Sequence, residues 1–322
     1  MRSRWCSPAL LAALGVAGCA TAARRVTILY TSVVAEVSPK EAIIQLDRGF
    51  LERHKDRVTI TASFTVDNTM EKPNPHLLDG DLHIAGRAPE IGLRLVAEII
   101  NADSAFRAMA VVQRAESTHV AVPMTGVWRL WPEHALIPEQ QGNPVPVLTT
   151  PNPDHIFELH PLTRVGGVGV QQTFHPVEGY RPGNAKHTFA IYEEASCELT
   201  VHPDRVTLKV SNWLYNDVHF LLEVGRQRPL VVSDGRFVTG SALDTDGNLL
   251  VAGLRLVLVA GTAPERTIRA LAPGSRVHVW GLPRVSFAEL SRRIARSAAD
   301  PAVLKGKLPY EIVVLGVYPK EL

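Results

Sequence analysis

Short runs of Val, Ile, Leu and Thr, punctuated by Gly, Pro, Asn and Asp, recur along most of this chain and read as strands. In the first half they fall at 58–66, 82–85, 93–100, 119–131 and 156–165, after an initial β-branched run at 26–37. Beyond Gly166 and Gly167 the style returns at 187–192, 198–201, 206–213, 218–224, 237–244, 249–259, 276–280 and 312–317, without a visible repeat of sequence. Two stretches follow the helical period instead. Ser38, Pro39 and Glu41 have the form of a capping box, and Ile43, Leu46, Phe50 and Leu51 then share one face, with Arg53, His54 and Lys55 at the favourable end of the dipole. Residues 286–298 place Phe287, Leu290 and Ile294 on one side of a shorter helix. The tract 138–153 holds five prolines and is expected as an exposed loop, and Asp244 to Asn248, with Gly247, as a hairpin turn. The pattern predicts a mainly β protein: residues 24–166 form one β-domain with a single N-terminal helix, and residues 167–322 a second β-rich domain, barrel or sandwich.

Composition changes this picture little. With 322 residues, 46% hydrophobic and 20% charged, the chain is long enough for two sizeable cores. A net charge of +2 speaks against general capture of nucleic acid, which needs a concentrated basic surface. No cofactor motif stands out. Gly166 to Val170 is glycine-rich but lacks the strand-then-helix setting of a dinucleotide loop, and no G-x-S-x-G elbow or zinc-finger spacing occurs.

The amino terminus carries the clearest signal. Arg2 and Arg4 precede an apolar stretch at 8–16, too short to span a bilayer but suited to a signal peptide. Val16, Ala17, Gly18 and Cys19 follow, a series that resembles the bacterial lipobox. The resemblance implies removal of residues 1–18, acylation of Cys19, and a short linker at 19–23. Several acyl chains, at about 0.8 kcal/mol per buried methylene, hold a protein to a membrane where one chain does not. Ala20, rather than Asp, implies by the same resemblance an outer-membrane anchor facing the periplasm. Of the three cysteines, Cys6 leaves with the signal and Cys19 is acylated, so Cys197 stays unpaired and reads as a small buried hydrophobe.

Four pieces in order carry a second resemblance: Leu78-Asp-Gly-Asp-Leu-His-Ile84, Leu95-Val-Ala-Glu-Ile-Ile100, Met124-Thr-Gly-Val127 and Asn152 through Pro161 with Glu158-Leu-His160. The series is similar to a group of poorly characterised exported bacterial domains with D-x-D-x-H, A-E-I, T-G-V and E-L-H-P strands, and it implies a small OB-like barrel over roughly residues 58–165. This chain departs by inserting the proline tract and by having Asp154-His155 where the others have glycine. Barrels of this kind often bind oligonucleotides or oligosaccharides on one face, although fold alone names no ligand.

Asp79, Asp81, His83, Glu98, Glu158 and His160 are the candidate ligand or metal residues. Period two puts Asp79, Asp81 and His83 on one side of a strand start, where carboxylates and imidazole could hold a hard cation or zinc. Asp-Gly-Asp followed by Arg87 and Glu90 also resembles thermonuclease-like barrels, but the second arginine and the glutamate spacing are missing. Against this, Asp-Gly-Asp is an everyday turn and Glu-x-His can cap a strand end. Trp128, Trp131 and His134 could form a stacking platform, yet tryptophans three apart in a strand point to opposite faces, so core packing is the expectation. The sequence therefore points to a non-enzymatic, lipid-anchored binding or structural module of the cell envelope, contacting the membrane and an envelope polymer or protein. A metal-dependent hydrolase or phosphodiesterase centred on Asp79, Asp81, His83 and Glu98 is the alternative.

Overall fold

The computed structural model describes residues 33–38, 41–134, 139–140, 145–210, 214–296 and 302–318; the signal segment, Cys19 and most of the expected first strand lie outside them. The first described element, β1 (Val33–Ser38), pairs antiparallel with β2 (Glu41–Asp47). The helix expected from Ser38 is corrected here. Residues 41–47 are a strand, and only α1 (Arg48–His54) is helical. Ala42, Ile44 and Leu46 are buried in alternation, so the segment satisfies period two as well as the helical period, and pairing along its length decides between them. The true N-cap is Asp47, whose carboxylate accepts the Phe50 N–H.

A closed five-stranded barrel follows. Its strands are β3 (Thr59–Thr69), β4 (Leu82–Arg87) and β5 (Arg94–Ile99), then α2 (Phe106–Thr118), then β6 (Val122–Leu130) and, beyond the two-residue β7 (Glu139–Gln140), β8 (Phe157–Val165). The order β5-β4-β3-β6-β8 closes through a parallel β5–β8 pairing. That is the OB topology, in which the helix links the third strand to the fourth. Ile84, Leu95, Ala97, Met124, Leu159 and Leu162 fill its interior. The helix α2 was not expected. Its Ala108, Val112 and Ala115 are buried, Met109 and Val111 pack partly on the core, and Phe106 is exposed, so its apolar residues make no clean stripe that sequence reading would pick out.

The chain leaves through the two-residue β9 (Val168–Gly169) and α3 (Ala185–Glu194), then forms a hairpin of β10 (Ser196–Val201) and β11 (Arg205–Val210), of which β11 pairs with β2. The strand expected at 187–192 is thus a helix, set by Asn184, whose side chain accepts the His187 N–H at its start. A second closed barrel is built from β12 (Val218–Val224), the short β13 (Leu230–Val232), β14 (Gly235–Leu243), β15 (Leu249–Val259), α4 (Ala263–Arg269), β16 (Arg276–Val285) and, after α5 (Phe287–Ala295) and β17 (Ala302–Lys307), β18 (Tyr310–Val317). Its order is β12-β16-β18-β15-β14 with β14 returning to β12 and β15 parallel to β18. The second barrel therefore repeats the topology of the first strand for strand. The expected helix over 286–298 is present as α5, capped by Ser286.

Matching ladders fix the correspondence residue by residue. Arg129 opposes Glu158 in the first barrel as Arg284 opposes Glu311 in the second, and Ala97 lies beside Leu159 as Leu256 lies beside Ile312. Gly86 and Gly240 are equivalents with one cause. A Cβ on Gly86 would sit 2.2 Å from the Thr65 carbonyl oxygen and one on Gly240 2.6 Å from that of Glu223, so the first two strands of each barrel can close on each other only where a side chain is missing.

The barrels meet through reciprocal contacts. Arg129 Nε donates to the carbonyl of Pro283 at 2.9 Å, and Arg284 Nη1 donates to that of Trp128 at 3.1 Å, each the residue preceding the other arginine. Around them Val127, Ile100, Leu282 and Val259 form one apolar cluster with Phe174 and Trp280. The remaining sheet, β17-β10-β11-β2-β1-β7, joins strands from both sides of Gly166. Cys197 is a free, buried thiol on β10, as its sequence setting implied.

Candidate functional site

The loop from β3 to β4 ends in a tight turn at Gly80, whose φ of 74° is left-handed, and the turn delivers Asp81 to the start of β4. Asp79 organises this turn instead of joining a site: its Oδ1 accepts the Asp81 N–H at 3.0 Å and the Asn74 side-chain amide at 2.9 Å. Alternation then places His83 on β4, Glu98 on β5, and Glu158 and His160 on β8 on the outer face, opposite the inward Ile84, Ala97 and Leu159. Five of the six residues singled out in the sequence thus converge. His83 Nε2 lies 3.4 Å from Glu98 Oε2. His160 Nδ1 lies 3.3 Å from Glu98 Oε2 and 3.4 Å from Glu158 Oε2, and its Nε2 lies 3.4 Å from Asp81 Oδ2.

Sequence reading missed four further members. Arg129 on β6 donates to Glu158 Oε2 at 2.7 Å and to Glu133 Oε2 at 3.3 Å. His155, just before β8, reaches Glu158 Oε1 through Nε2 at 2.7 Å and the Pro153 carbonyl through Nδ1 at 2.7 Å. Both partners are acceptors, so His155 donates twice and carries a positive charge. His134 packs beside it, with ring centroids 5.1 Å apart. The one available signal was the departure Asp154-His155. Arg129 stood in a tract read for its tryptophans, and Trp128 and Trp131 are indeed buried, their indole N–H groups donating to Arg57 O and Tyr215 O. Arg87 and Glu90 are occupied elsewhere, Arg87 with Asp67 and Glu90 accepting the Ser63 N–H.

Burial dominates the electrostatics. Asp81, Glu98, Glu158, His155 and His160 are each less than 5% exposed. Desolvation pushes the Asp81 carboxyl up to about 8 against the pull of His160. Burial also opposes the charge of Glu158, but Arg129, His155 and His160 outweigh it and hold Glu158 well below the usual carboxylate range. Burial, helped by the neighbouring Glu158, raises Glu133 to about 7 against Arg129, and burial together with the charge of His155 lowers His134 to about 4. Glu158 is therefore a fully engaged structural anion. Asp81 Oδ1 and both ring nitrogens of His160, by contrast, have no hydrogen-bond partner among the described residues.

The second barrel lacks this cluster. Register makes Phe237 the equivalent of His83, Val257 of Glu98 and Val313 of His160, with Gly235 at the position of Asp81. All three side chains belong to the apolar cluster between the barrels. What the second barrel keeps open is a cleft of about 570 Å³ over β14 and β15, between the loop after β12 and the segment carrying α5 and β17. Arg228, Arg255, Arg292, Arg293 and Lys307 line it with only Glu193 and Glu289 as anions. Arg292 and Arg293 pair with Glu289, Lys307 with Glu193, and Arg255 with Asp56 and Glu311 while stacking on Phe237 at 3.8 Å. Arg228 has no ion-pair partner among the described residues. No protein-family profile, curated protein or solved structure matches this chain.

Proposed function

We propose that this protein is a non-enzymatic binding module of the bacterial cell envelope, tethered by acyl chains on Cys19, that takes an anionic envelope polymer in the cleft of its second barrel. The observation that carries the reading is the cationic lining of that cleft on the strand face and flanking loops that OB barrels use for polymers. Four of the five cations are paired, with Glu193, Glu289, Asp56 and Glu311, and Arg228 has no ion-pair partner among the described residues. The cleft thus keeps a small positive excess that attracts repeated carboxylate or phosphate groups, although the whole chain is near neutral. The equivalent face of the first barrel is sealed, which leaves the second as the one open to a long ligand. The same burial weighs against the hydrolase alternative: a phosphodiester cannot approach carboxylates less than 5% exposed, and Asp79 is turned into its own loop.

The mature full-length protein should bind acidic oligosaccharides and anionic cell-wall fragments more tightly than neutral ones, with affinity falling as salt rises. Replacing Arg228 by glutamate should weaken binding severalfold without lowering the melting temperature, since its side chain is exposed and has no ion-pair partner among the described residues. Equal binding of neutral glycans, tighter binding of oligonucleotides than of any glycan, or no binding across the panel would each refute the reading. The tether rests on Arg2, Arg4, the apolar run at 8–16 and the series ending in Cys19. It is checked by the mass of the native N-terminal peptide, expected to begin at an acylated Cys19; an unmodified start would remove the membrane placement.

A further inference from the structure

We propose that the first barrel holds one divalent transition-metal ion of the zinc class, bound by Asp81, Glu98 and His160, with His83 at its margin. Each of the three offers one ligand atom, and these atoms lie within 4.8 Å of one another. Two ligands on a zinc-type ion, at about 2.0–2.2 Å each, sit about 3.0–3.4 Å apart when adjacent and about 4.4 Å when opposed. The 3.4 Å between His160 Nε2 and Asp81 Oδ2 matches that spacing; the 3.3 Å to Glu98 Oε2 is measured from Nδ1 on the other side of the ring, so a single ion takes one of these nitrogens and not both. Both separations are longer than the roughly 2.7–2.9 Å of a charge-assisted hydrogen bond, and neither ring nitrogen makes one. His160 is thus a buried imidazole aimed at two carboxylates without bonding to them directly, beside an Asp81 oxygen that is equally unpartnered. Buried polar groups left so are uncommon, and an ion ligated by Asp81 and one ring nitrogen of His160 accounts for all but the other ring nitrogen.

The repeat in the fold supplies independent support. At the positions of His83, Glu98 and His160 the second barrel has Phe237, Val257 and Val313, packed in an apolar cluster. This topology is therefore satisfied by hydrocarbon at all three places, and the polar set in the first barrel serves something other than closing a barrel. The surroundings are arranged as an outer layer around an ion. Glu158 is neutralised by Arg129 and His155 and is not needed as a ligand. His83 places Nδ1 3.3 Å from Met70 Sδ, which turns Nε2 toward Glu98. The mix of imidazole and carboxylate favours a first-row ion over calcium or magnesium, which take oxygen ligands in larger number. Of the histidines around the cluster, His83 and His134 are the partly exposed ones, with side chains 12% and 38% exposed.

The test uses the full-length protein stripped with chelator and titrated with zinc, cobalt, calcium and magnesium separately. One equivalent of zinc should bind and raise the melting temperature by mass action, and cobalt should give visible absorption bands characteristic of nitrogen and oxygen ligation. His160→Val and Glu98→Val should each weaken zinc binding at least about 100-fold, and His83→Phe about 10–100-fold, as for a residue that supports a ligand. The triple variant H83F/E98V/H160V borrows the side chains of the second barrel. It should fold, bind no zinc at this site, and show a melting temperature indifferent to zinc. Zinc uptake unchanged in the triple variant, no zinc-dependent stabilisation of the wild type, or stabilisation by calcium or magnesium alone would each overturn the proposal. None of these readouts depends on polymer binding, so the cleft and the ion are judged separately.

Discussion

Replacing Arg284 by methionine is expected to destabilise the protein by about 3–5 kcal/mol, measured by denaturant unfolding at neutral pH. Arg284 is fully buried, and its guanidinium donates to Glu311 at 2.7 Å, to Val58 O and Trp128 O through Nη1, and to Arg57 O through Nη2. Methionine fills comparable volume but leaves Glu311, itself 0% exposed, with a half-compensated charge and removes a donor from the carbonyls of Val58, Trp128 and Arg57, the last of which keeps the Trp128 indole N–H. The size of the effect comes from that stranded anion and not from the value of an ion pair as such, because two charges removed together often cost little. The double variant Arg284→Met/Glu311→Leu should accordingly recover at least half of the loss. Equal stability of R284M and wild type would mean that the two barrels are not joined through this arginine.

Trp128→Ala should cost about 3–5 kcal/mol, the range for removing a large buried aromatic. The indole is 0% exposed, stacks on Phe287 of α5 with centroids 4.2 Å apart, lies under the Arg284 guanidinium at 3.7 Å, and donates to Arg57 O at 2.9 Å. Its removal opens a void where the first barrel, α1 and α5 meet, a place braced from three sides and unable to collapse. Trp128→Phe keeps most of the volume and should lose less than half as much, which a pair of thermal melts would show. If alanine and phenylalanine cost the same, the lost hydrogen bond to Arg57 rather than packing is responsible.

The strands were legible because each barrel has one face inward, so that alternation survives in Thr59 to Val66 or Val218 to Leu222. Reading failed where two periods fit the same residues. Ala42, Ile44 and Leu46 alternate while Ile43, Leu46 and Phe50 lie at helical spacing, and a cross-chain partner, β11, settles the matter in a way no local signal records. At 187–192 the β-branched and aromatic content suggested a strand, but the cap at Asn184 prevailed. The helix α4 was missed although Thr262, Pro264 and Glu265 carry its start, because the helix is only about two turns long and mostly polar. For the site, alternation put Asp79, Asp81 and His83 on one side of a strand start, and the structure brings Asp81 and His83, but not Asp79, beside Glu98 and His160. It could not supply Arg129 or His155, which barrel closure and a loop bring in from elsewhere, nor foresee that Asp79, two residues from Asp81, would bond its own turn. The repeat of the barrel was invisible for a similar reason. Its signature is a few scattered positions such as Gly86 with Gly240 and Arg129 with Arg284, too sparse to register as self-similarity.

The exchange in which each arginine reaches the carbonyl preceding the other has the form of a contact across a dyad, the kind two identical subunits make when they associate face to face. Within one polypeptide such a contact no longer obliges its halves to stay alike. A substitution in a true homodimer is felt twice; here one lobe can store charge in its wall while its twin stores grease, and the seam between them is untouched.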